Sequence, residues 1–597
     1  MIHSSTSIVS ARSSQGWRIL APIIRLWRST LLLAMVSILA ARSLDLVPAF
    51  VVQRLIDGAL TTGQASELLP LGLGYLGAVV AAQGCTFAGV WLTAVVAQHA
   101  LQALRTRLAA HLQQLPLSYF DQTPLGDIIS RCTADVETVD TLFSTGAINL
   151  VGNLVRLATA LVAMVILSVP LTLVALLAIV PAIVVTRFFQ IRVRAAERAN
   201  RQAIGRLSAH LQELLSGVET IRAFDRAAAF TARFCTALTA VLAAYNRATV
   251  YSAGYTPLMG LLAASATALL LWSGAAGMLG GWGVSLGTLT AFVLLFGRFF
   301  DPITALGDDW QTVQSALSGI ERISQVLSLP IDARPPVPVV ISRDAGLAVR
   351  GLVFGYVPER PVIRDVTFAL RPGEQVALVG RTGAGKSSIV HLIGGLYAPW
   401  AGAITVAGCD PRALSDDARR RLVGVVPQHV QLFSGAVWEN LTLGDAELDR
   451  AVVERAVELA GAGPVIAGLP DGYDTILSGS GRGAGAQLSA GQRQLLALAR
   501  ALVWDPALLL LDEATVAIDS ASELALWAAL RTEARAQRRA VLTVAHRLAT
   551  ARAADRVIVL DQGRIIEEGP PDELIRAGGR FAALIELEAA GWNWQTA

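Results

Sequence analysis

Long apolar runs dominate residues 1–310, and arginine-rich stretches separate them. Six runs lie at about 29–52, 69–97, 146–168, 170–189, 255–277 and 284–304. Each is near or above the roughly 20 residues that a helix needs to cross about 30 Å of hydrocarbon. The third and fourth meet at Ser168-Val169-Pro170, a tight proline turn. The first is too long for a signal-peptide core and is followed by more spans, so it reads as retained. Two connections, after spans two and four, run for about 50 and 65 residues. They are rich in Ala, Leu, Gln and Arg, which predicts helices that continue the spans beyond the membrane. Each has a turn-like middle, such as Gln122-Thr123-Pro124-Leu125-Gly126.

From about residue 346 the pattern changes. Short β-branched runs, Gln375–Val379, Leu508–Leu511, Ala540–Val544 and Arg556–Leu560, alternate with helical periodicity. That predicts an α/β domain with a largely parallel sheet. The fold class expected is therefore a membrane α-helical part, six transmembrane helices with long cytoplasmic extensions, joined to a cytoplasmic α/β domain. The expected divisions are an N-terminal segment at 1–28, a transmembrane domain at 29–310 with two cytoplasmic loops, a proline-rich linker at 311–345, and the α/β domain at 346–597. Arginines cluster before the first span and in the two long connections, and the remaining connections carry almost none. Basic loops stay on the cytoplasmic side, which puts both termini there.

Composition sharpens this picture. Of 597 residues, 53% are hydrophobic and 16% charged, too apolar for a disordered or wholly soluble chain. A net charge of +3 gives no case for nucleic acid as a partner. The four cysteines, Cys85, Cys132, Cys235 and Cys409, are far apart, and the histidines are scattered. Neither a disulfide framework nor a zinc site is indicated. Among 49 basic residues the single lysine is Lys386. A high-GC coding bias accounts for the arginines but not for the lysine's position.

Lys386 sits in Gly380-Arg-Thr-Gly-Ala-Gly-Lys-Ser387, a complete G-x-x-x-x-G-K-[ST] between a strand and a helix. Glycines there let backbone N–H groups wrap phosphates, and a flexible ammonium reaches between them as a planar guanidinium does not. Downstream, the apolar run Leu508–Leu511 ends in Asp512-Glu513. Asp512 is suited to hold Mg²⁺ and Glu513 to orient or deprotonate a water. His546, after the strand Ala540–Val544, is a candidate contact for a γ-phosphate. Gln428, after Val423–Pro427, could ligate Mg²⁺ through its amide oxygen. Tyr356 is either an aromatic platform for adenine or a core tyrosine.

Together with Leu488-Ser489-Ala490-Gly491-Gln492, these residues resemble a half-transporter of the ATP-binding-cassette (ABC) family with exporter-type architecture. That segment is similar to the family's LSGGQ signature with one Gly replaced by Ala. Tyr356, the loop to Ser388, Gln428, the signature and Asp512-Glu513 occur in family order, followed by Asp519 and His546. The resemblance implies an ATPase with ATP and Mg²⁺ as cofactors. ATP would contact Tyr356, Gly380, Arg381, Thr382, Gly383, Ala384, Gly385, Lys386, Ser387, Ser388 and Gln428. Mg²⁺ would be held by Ser387, Gln428 and Asp512, with Glu513, His546 and Lys386 catalytic. Leu488, Ser489, Ala490, Gly491 and Gln492 would serve the ATP of a partner chain, and Asp519 would lie in the D-loop between them.

Leu115–Asp121 with Gly126, Asp127 and Arg131, and Glu213, Gly217 and Arg222-Ala223-Phe224, resemble the family's two coupling loops. Two departures stand out: Gly483 replaces the usual acid before the signature, and Val516 replaces the usual serine after Asp512-Glu513. The glycine-rich segment Ser478–Gly485, which holds Gly483, resembles subunits of heterodimeric pairs and favours a heterodimer of half-transporters over a homodimer. The resemblance implies ATP-driven export of a small molecule, lipid or peptide from a prokaryotic inner membrane, with lipid as the other partner. An importer on the same architecture, an ATP-gated channel and a non-transport ATPase are the alternatives, and the six spans argue against the last. No peptidase domain precedes the spans, so leader-peptide processing is not indicated. Within the spans, Arg42 and Asp45 stand one turn apart and can pair, while Arg156 has no local partner and could meet an anionic cargo or a lipid headgroup.

Overall fold

The computed structural model describes residues 25–60, 65–279, 282–332, 342, 344–479, 485–512, 520–545 and 547–590. The chain forms two compact units: Met1–Gln113 with Leu125–Leu329, and Gln114–Pro124 with Pro330–Ala597.

The first unit is helical. Six of its helical segments are long and apolar enough to cross a membrane, beginning at Arg28, Leu68, Leu125, Val169, Ala227 and Leu286. The basic connections are helical as expected: Leu68–Gln113, Val169–Ser216 and Ala227–Leu279 have 46, 48 and 53 residues. At 1.5 Å per residue each is about 70–80 Å long, more than twice the hydrocarbon thickness. The tight turn is built by Ser168, whose hydroxyl caps the next helix by accepting from Leu171 N, with Pro170 in its first turn. The core uses small residues where helices approach, including Ala160, Ala163, Ala175 and Ala182, against Phe292, Phe296 and Phe299 of the last helix. Outward, Leu173, Leu177, Val180 and Val184 form one exposed stripe, each at least 62% accessible. Their spacing of four, three and four residues keeps them on one helix face, which suits hydrocarbon and not water.

The linker expected at 311–345 begins later than the sequence suggests. Helix Leu286–Leu327 carries straight through its first half. Ala316, Ile320, Ile323 and Val326 are buried there at helical spacing, so apolar packing outweighs the nearby prolines as the local determinant. Residues 333–341, which hold those prolines, lie outside the described residues.

One ion pair ties this extension down. Asp135, 6% exposed, accepts from Arg322 Nε at 2.9 Å and Nη2 at 2.5 Å. Arg156 also finds a partner remote in sequence: its Nη2 lies 3.6 Å from Asp301 Oδ2, and Arg42 reaches Asp45 at 3.4 Å.

The second unit is built on two sheets. Strands β1 (Leu347–Phe354), β2 (Ile363–Leu370) and β4 (Ala401–Val406) form an antiparallel sheet in the order β2-β1-β4. A six-stranded sheet has the order β11-β10-β3-β9-β8-β5, with β3 (Gln375–Val379), β5 (Val423–Val426), β8 (Leu508–Asp512), β9 (Ala540–Val544), β10 (Arg556–Asp561) and β11 (Arg564–Gly569). Only β10 and β11 pair antiparallel; the rest of the sheet is parallel, as expected. A two-residue pair, β6 (Gly435–Ala436) with β7 (Ile476–Leu477), stands apart. Strands β3, β8 and β9 are buried at every position, which explains why they read as unbroken apolar runs.

Arg322→Ala should destabilise the first unit, because it leaves the Asp135 carboxylate buried without its guanidinium. Arg322 is half exposed, so we expect a loss of about 1–3 kcal/mol, below that of a wholly buried pair. It would be read as a lowered thermal unfolding midpoint of the full chain in nanodiscs. An unchanged midpoint would show that Asp135 is satisfied by water.

Candidate nucleotide site

The site grows from the end of β3. Val379 closes the strand and helix Lys386–Ile393 opens after six intervening residues. The chain turns between them through left-handed glycines, Gly383 at φ 83° and Gly385 at φ 106°. A Cβ on Gly385 would stand 2.5 Å from Ile363 Cδ1, and one on Gly380 would stand 2.2 Å from Leu560 O. Glycine is required at Gly380 by the backbone carbonyl of Leu560, and at Gly385 by φ, since the terminal methyl of Ile363 can shift.

Lys386 is 8% exposed and donates to Gly380 O at 2.7 Å and Arg381 O at 2.9 Å. The ammonium is thus curled back over the loop, held by carbonyls. Ser387 Oγ donates to Asp512 Oδ1 at 3.3 Å, which ties the helix start to the end of β8. Asp512 is 4% exposed. Burial raises its pKa above the ordinary carboxylate range, against the opposing pull of the Ser387 hydrogen bond, His391 and Lys386. A hydroxyl and a buried carboxylate that gains from a nearby positive charge make a fitting hard-cation donor pair. Gln428 lies exposed two residues past β5, whose last residue Val426 pairs in register with Leu511, next to Asp512. These groups share the carboxyl edge of the parallel strands, where ligands bind in open α/β sheets.

Tyr356 is not a core residue. It is 41% accessible, and its hydroxyl lies 3.0 Å from Ser388 Oγ, beside the glycine loop. Its ring meets Phe354 and Tyr397 edge-on at 5.0 and 5.5 Å. Arg381 and Thr382 are exposed at the loop's tip, and Ala384 is buried beneath it.

The signature segment forms a helix start. Ser489 caps helix Ala490–Leu502, accepting from Gln492 N at 3.2 Å, while Gln492 Oε1 accepts from Ser489 N at 2.8 Å. This reciprocal capping box explains the Gln three residues after the Ser. Ser489 and Ala490 are exposed, and Leu488, Gly491 and Gln492 half-buried. Ala490 has no left-handed φ, so alanine is sterically acceptable in glycine's place. Glu513, Asp519 and His546 lie outside the described residues, as do Gly483 and Val516.

Sequence reasoning missed Tyr397. Its hydroxyl donates to Asp121 Oδ2, on the short helix Leu117–Gln122 that clusters with this unit. Burial, and then the hydrogen bond to the Asp121 carboxylate, raise the phenol's pKa. The only signal for it in the chain is an aromatic shortly after the phosphate-loop helix.

Residues 31–303 match the family model for the ABC transporter transmembrane region, and residues 363–516 match the family model described as ABC transporter. Over 583 residues the chain is 31% identical to YknV, an uncharacterized ABC transporter ATP-binding protein of Bacillus subtilis (strain 168), spanning 96% of this chain and 94% of that protein. The chain belongs to the ABC transporter family. It is also similar to a fatty acid ABC transporter ATP-binding/permease protein of Mycobacterium bovis, 33% identical over 81% of this chain and 76% of that one. A multidrug efflux ATP-binding/permease protein of M. bovis (strain BCG / Pasteur 1173P2) is 32% identical over 94% of this chain but only 47% of its own length. This ABC transporter is an integral membrane protein that binds ATP and couples its hydrolysis to transport. Its half-transporter layout implies that two such chains act together.

Gly385→Ala should lower affinity for a fluorescent ATP analogue by more than about tenfold, since both its φ and Ile363 oppose a Cβ. Binding within twofold of the parent would show that the loop can rearrange.

Proposed function

We propose that this ABC transporter exports a small molecule, lipid or peptide as one half of a dimer, a heterodimer in preference to a homodimer. The observation that carries the reading is the exposed, capped helix start at Ser489, which presents backbone N–H groups and a positive dipole end at the surface. Leu488, Ser489, Ala490, Gly491 and Gln492 would close over ATP held by the partner chain's phosphate loop. The relative twice this length supports pairing of two such units, and its role in multidrug efflux, given in its name, supports outward transport. The glycine-rich segment that holds Gly483, in place of the usual acid that would touch a coupling helix, supports an unlike partner.

In this reading Tyr356 stacks on adenine, and the backbone from Gly380 to Ser388 wraps the phosphates. Lys386 exchanges its carbonyl partners for phosphate oxygens. Ser387, Gln428 and Asp512 would hold Mg²⁺, which supplies positive charge against the phosphates when bound. Glu513 takes up the proton of the attacking water, His546 steadies the γ-phosphate, and Asp519 bridges the cassettes. The membrane is a prokaryotic inner membrane with both termini and the cassette on the cytoplasmic side, which the arginine distribution supports. The proposed transmembrane domain spans 29–310 plus the helical continuation to Leu327, and the cassette 346–597.

ATP hydrolysis by the chain purified alone in nanodiscs, beside Glu513→Gln, tests this. An inactive but ATP-binding single chain is the expected result for a heterodimer. Turnover by the chain alone, lost in Glu513→Gln, would instead establish a homodimer. Equal turnover in both would overturn the role of Glu513.

Asp121, Tyr397, Tyr356 and Ser388 touch in series, from the short loop helix to the phosphate loop. Tyr397→Phe removes only the hydroxyl that meets Asp121. We expect it to reduce cargo moved per ATP hydrolysed roughly threefold or more, with ATP affinity held within about twofold. An unchanged ratio would mean that coupling does not pass through this bond.

A further inference from the structure

The loop that carries Gln428 runs from the end of β5 at Val426 to the start of β6 at Gly435. Pro427, Gln428, His429 and Gln431 are exposed, so burial does little to hold Gln428 in place. Further on, Leu432 is buried, and Val430 packs against the same core. Asn440 clasps Phe433: its amide accepts from Phe433 N at 2.8 Å and donates to Phe433 O at 2.9 Å. Between Gln428 and that clasp, the backbone is held by Arg500. Its Nη1 and Nη2 both donate to Gln431 O at 3.1 Å.

Arg500 belongs to helix Ala490–Leu502, where its neighbours Leu498, Ala499, Ala501 and Leu502 are buried. Burial lowers the pKa of its guanidinium from the ordinary value. Among the described residues it forms no ion pair, and its acceptor is a neutral carbonyl. Taking a guanidinium out of water without a carboxylate costs more than one shared carbonyl returns, so Arg500 is a poor source of stability. What it supplies is placement, because two charge-assisted N–H groups converge on one oxygen from a packed helix.

That helix begins at the capped Ser489, about 16 Å from Arg500 at 1.5 Å per residue. Gln431 also reaches the stretch ahead of the signature. Its Nε2 donates to Gly479 O at 3.4 Å, and Gly479 N donates to Ser434 Oγ at 3.2 Å. A Cβ on Gly479 would stand 2.7 Å from Ser434 N, so this approach needs glycine. The Gln428 loop, the stretch before the signature and the signature helix are thus tied together at Gln431.

We propose that Arg500 is a positioning residue for the metal: by fixing the Gln431 carbonyl it keeps Gln428, three residues earlier, where its amide oxygen joins Ser387 and Asp512 around Mg²⁺. In this arrangement Arg500 contacts neither nucleotide nor metal and acts through Gln428 alone. The inference rests on the proposed metal role of Gln428 and adds the residue that sustains it.

The test titrates Mn²⁺, a paramagnetic stand-in for Mg²⁺, into the full chain in nanodiscs of zwitterionic lipid. The chain is in excess over a slowly hydrolysed ATP analogue, and free Mn²⁺ is read by electron paramagnetic resonance. Gln428→Ala should weaken Mn²⁺ binding about tenfold, and Arg500→Met, which keeps the bulk and removes the donors, should match it. Arg500→Lys should recover part of the loss, since an ammonium can still reach the carbonyl. Affinity for the analogue in EDTA should be unchanged in every variant, which a damaged cassette would not allow. The double variant of Arg500→Met with Gln428→Ala should bind Mn²⁺ no more weakly than either alone, because both remove the same ligand. Losses that multiply, to about a hundredfold, would show Arg500 acting independently of Gln428 and would overturn the proposal. So would an Arg500→Met chain that holds Mn²⁺ as tightly as the parent. Full Mn²⁺ affinity in Gln428→Ala would instead remove the metal role of Gln428, and the inference with it, so the two failures are distinguishable. If Arg500→Met fails to fold, Arg500→Lys and its double variant carry the same comparison.

Discussion

The cassette depends on a buried positive charge held against the backbone of the phosphate loop. Lys386 is almost inaccessible and rests on two backbone carbonyls. Carbonyl dipoles only partly repay the desolvation of an ammonium. The adjacent carboxylate, Asp512, is itself shifted toward its neutral form by burial. The arrangement is therefore poised for an anion and a hard cation together, as a nucleotide with its metal supplies. Everything nearby serves that poise. The glycines keep Cβ atoms out of the cradle, the fully buried β3 and β8 fix its walls, and the Ser387–Asp512 bond sets the distance between them.

The same logic operates along helix Leu286–Leu327. Arg322 and Asp135 are matched with two close hydrogen bonds, and Asp135 is nearly inaccessible. Arg156 and Asp301 are mismatched in distance, and Asp301 is open. Two ion pairs on one helix thus differ in kind: one is closed and suits a structural role, while the other is longer and more open. Burial and geometry, and not the presence of charge, separate the two.

Local features were legible in the sequence. The strands at Gln375–Val379 and Ala540–Val544 occupy the residues that the apolar runs predicted, because full burial on both sheet faces writes itself as an unbroken apolar run. The glycine loop was legible because its chemistry needs fixed spacing. What stayed hidden depends on contacts between distant residues. Nothing near Arg156 in the chain points to Asp301, and nothing near Tyr397 points to Asp121. The helix through Gln311–Leu327 was hidden for another reason: the prolines that follow dominate a reading by composition, while the four buried apolar positions carry the actual signal.

The capped signature helix explains why one chain is not enough. Ser489 and Gln492 spend their side chains on one another's backbone, which fixes the first turn of the helix without a ligand. The start of the helix is then rigid and accessible, with its dipole directed outward. A preorganised anion-binding end on the surface, paired with a phosphate loop that cradles an anion from one side, is a site divided into two parts. ATP would unite the parts only when a second cassette brings its own signature to the first loop. The energy that draws the cassettes together would then be the energy of binding a shared anion, and it would be lost when hydrolysis removes the γ-phosphate between the two chains.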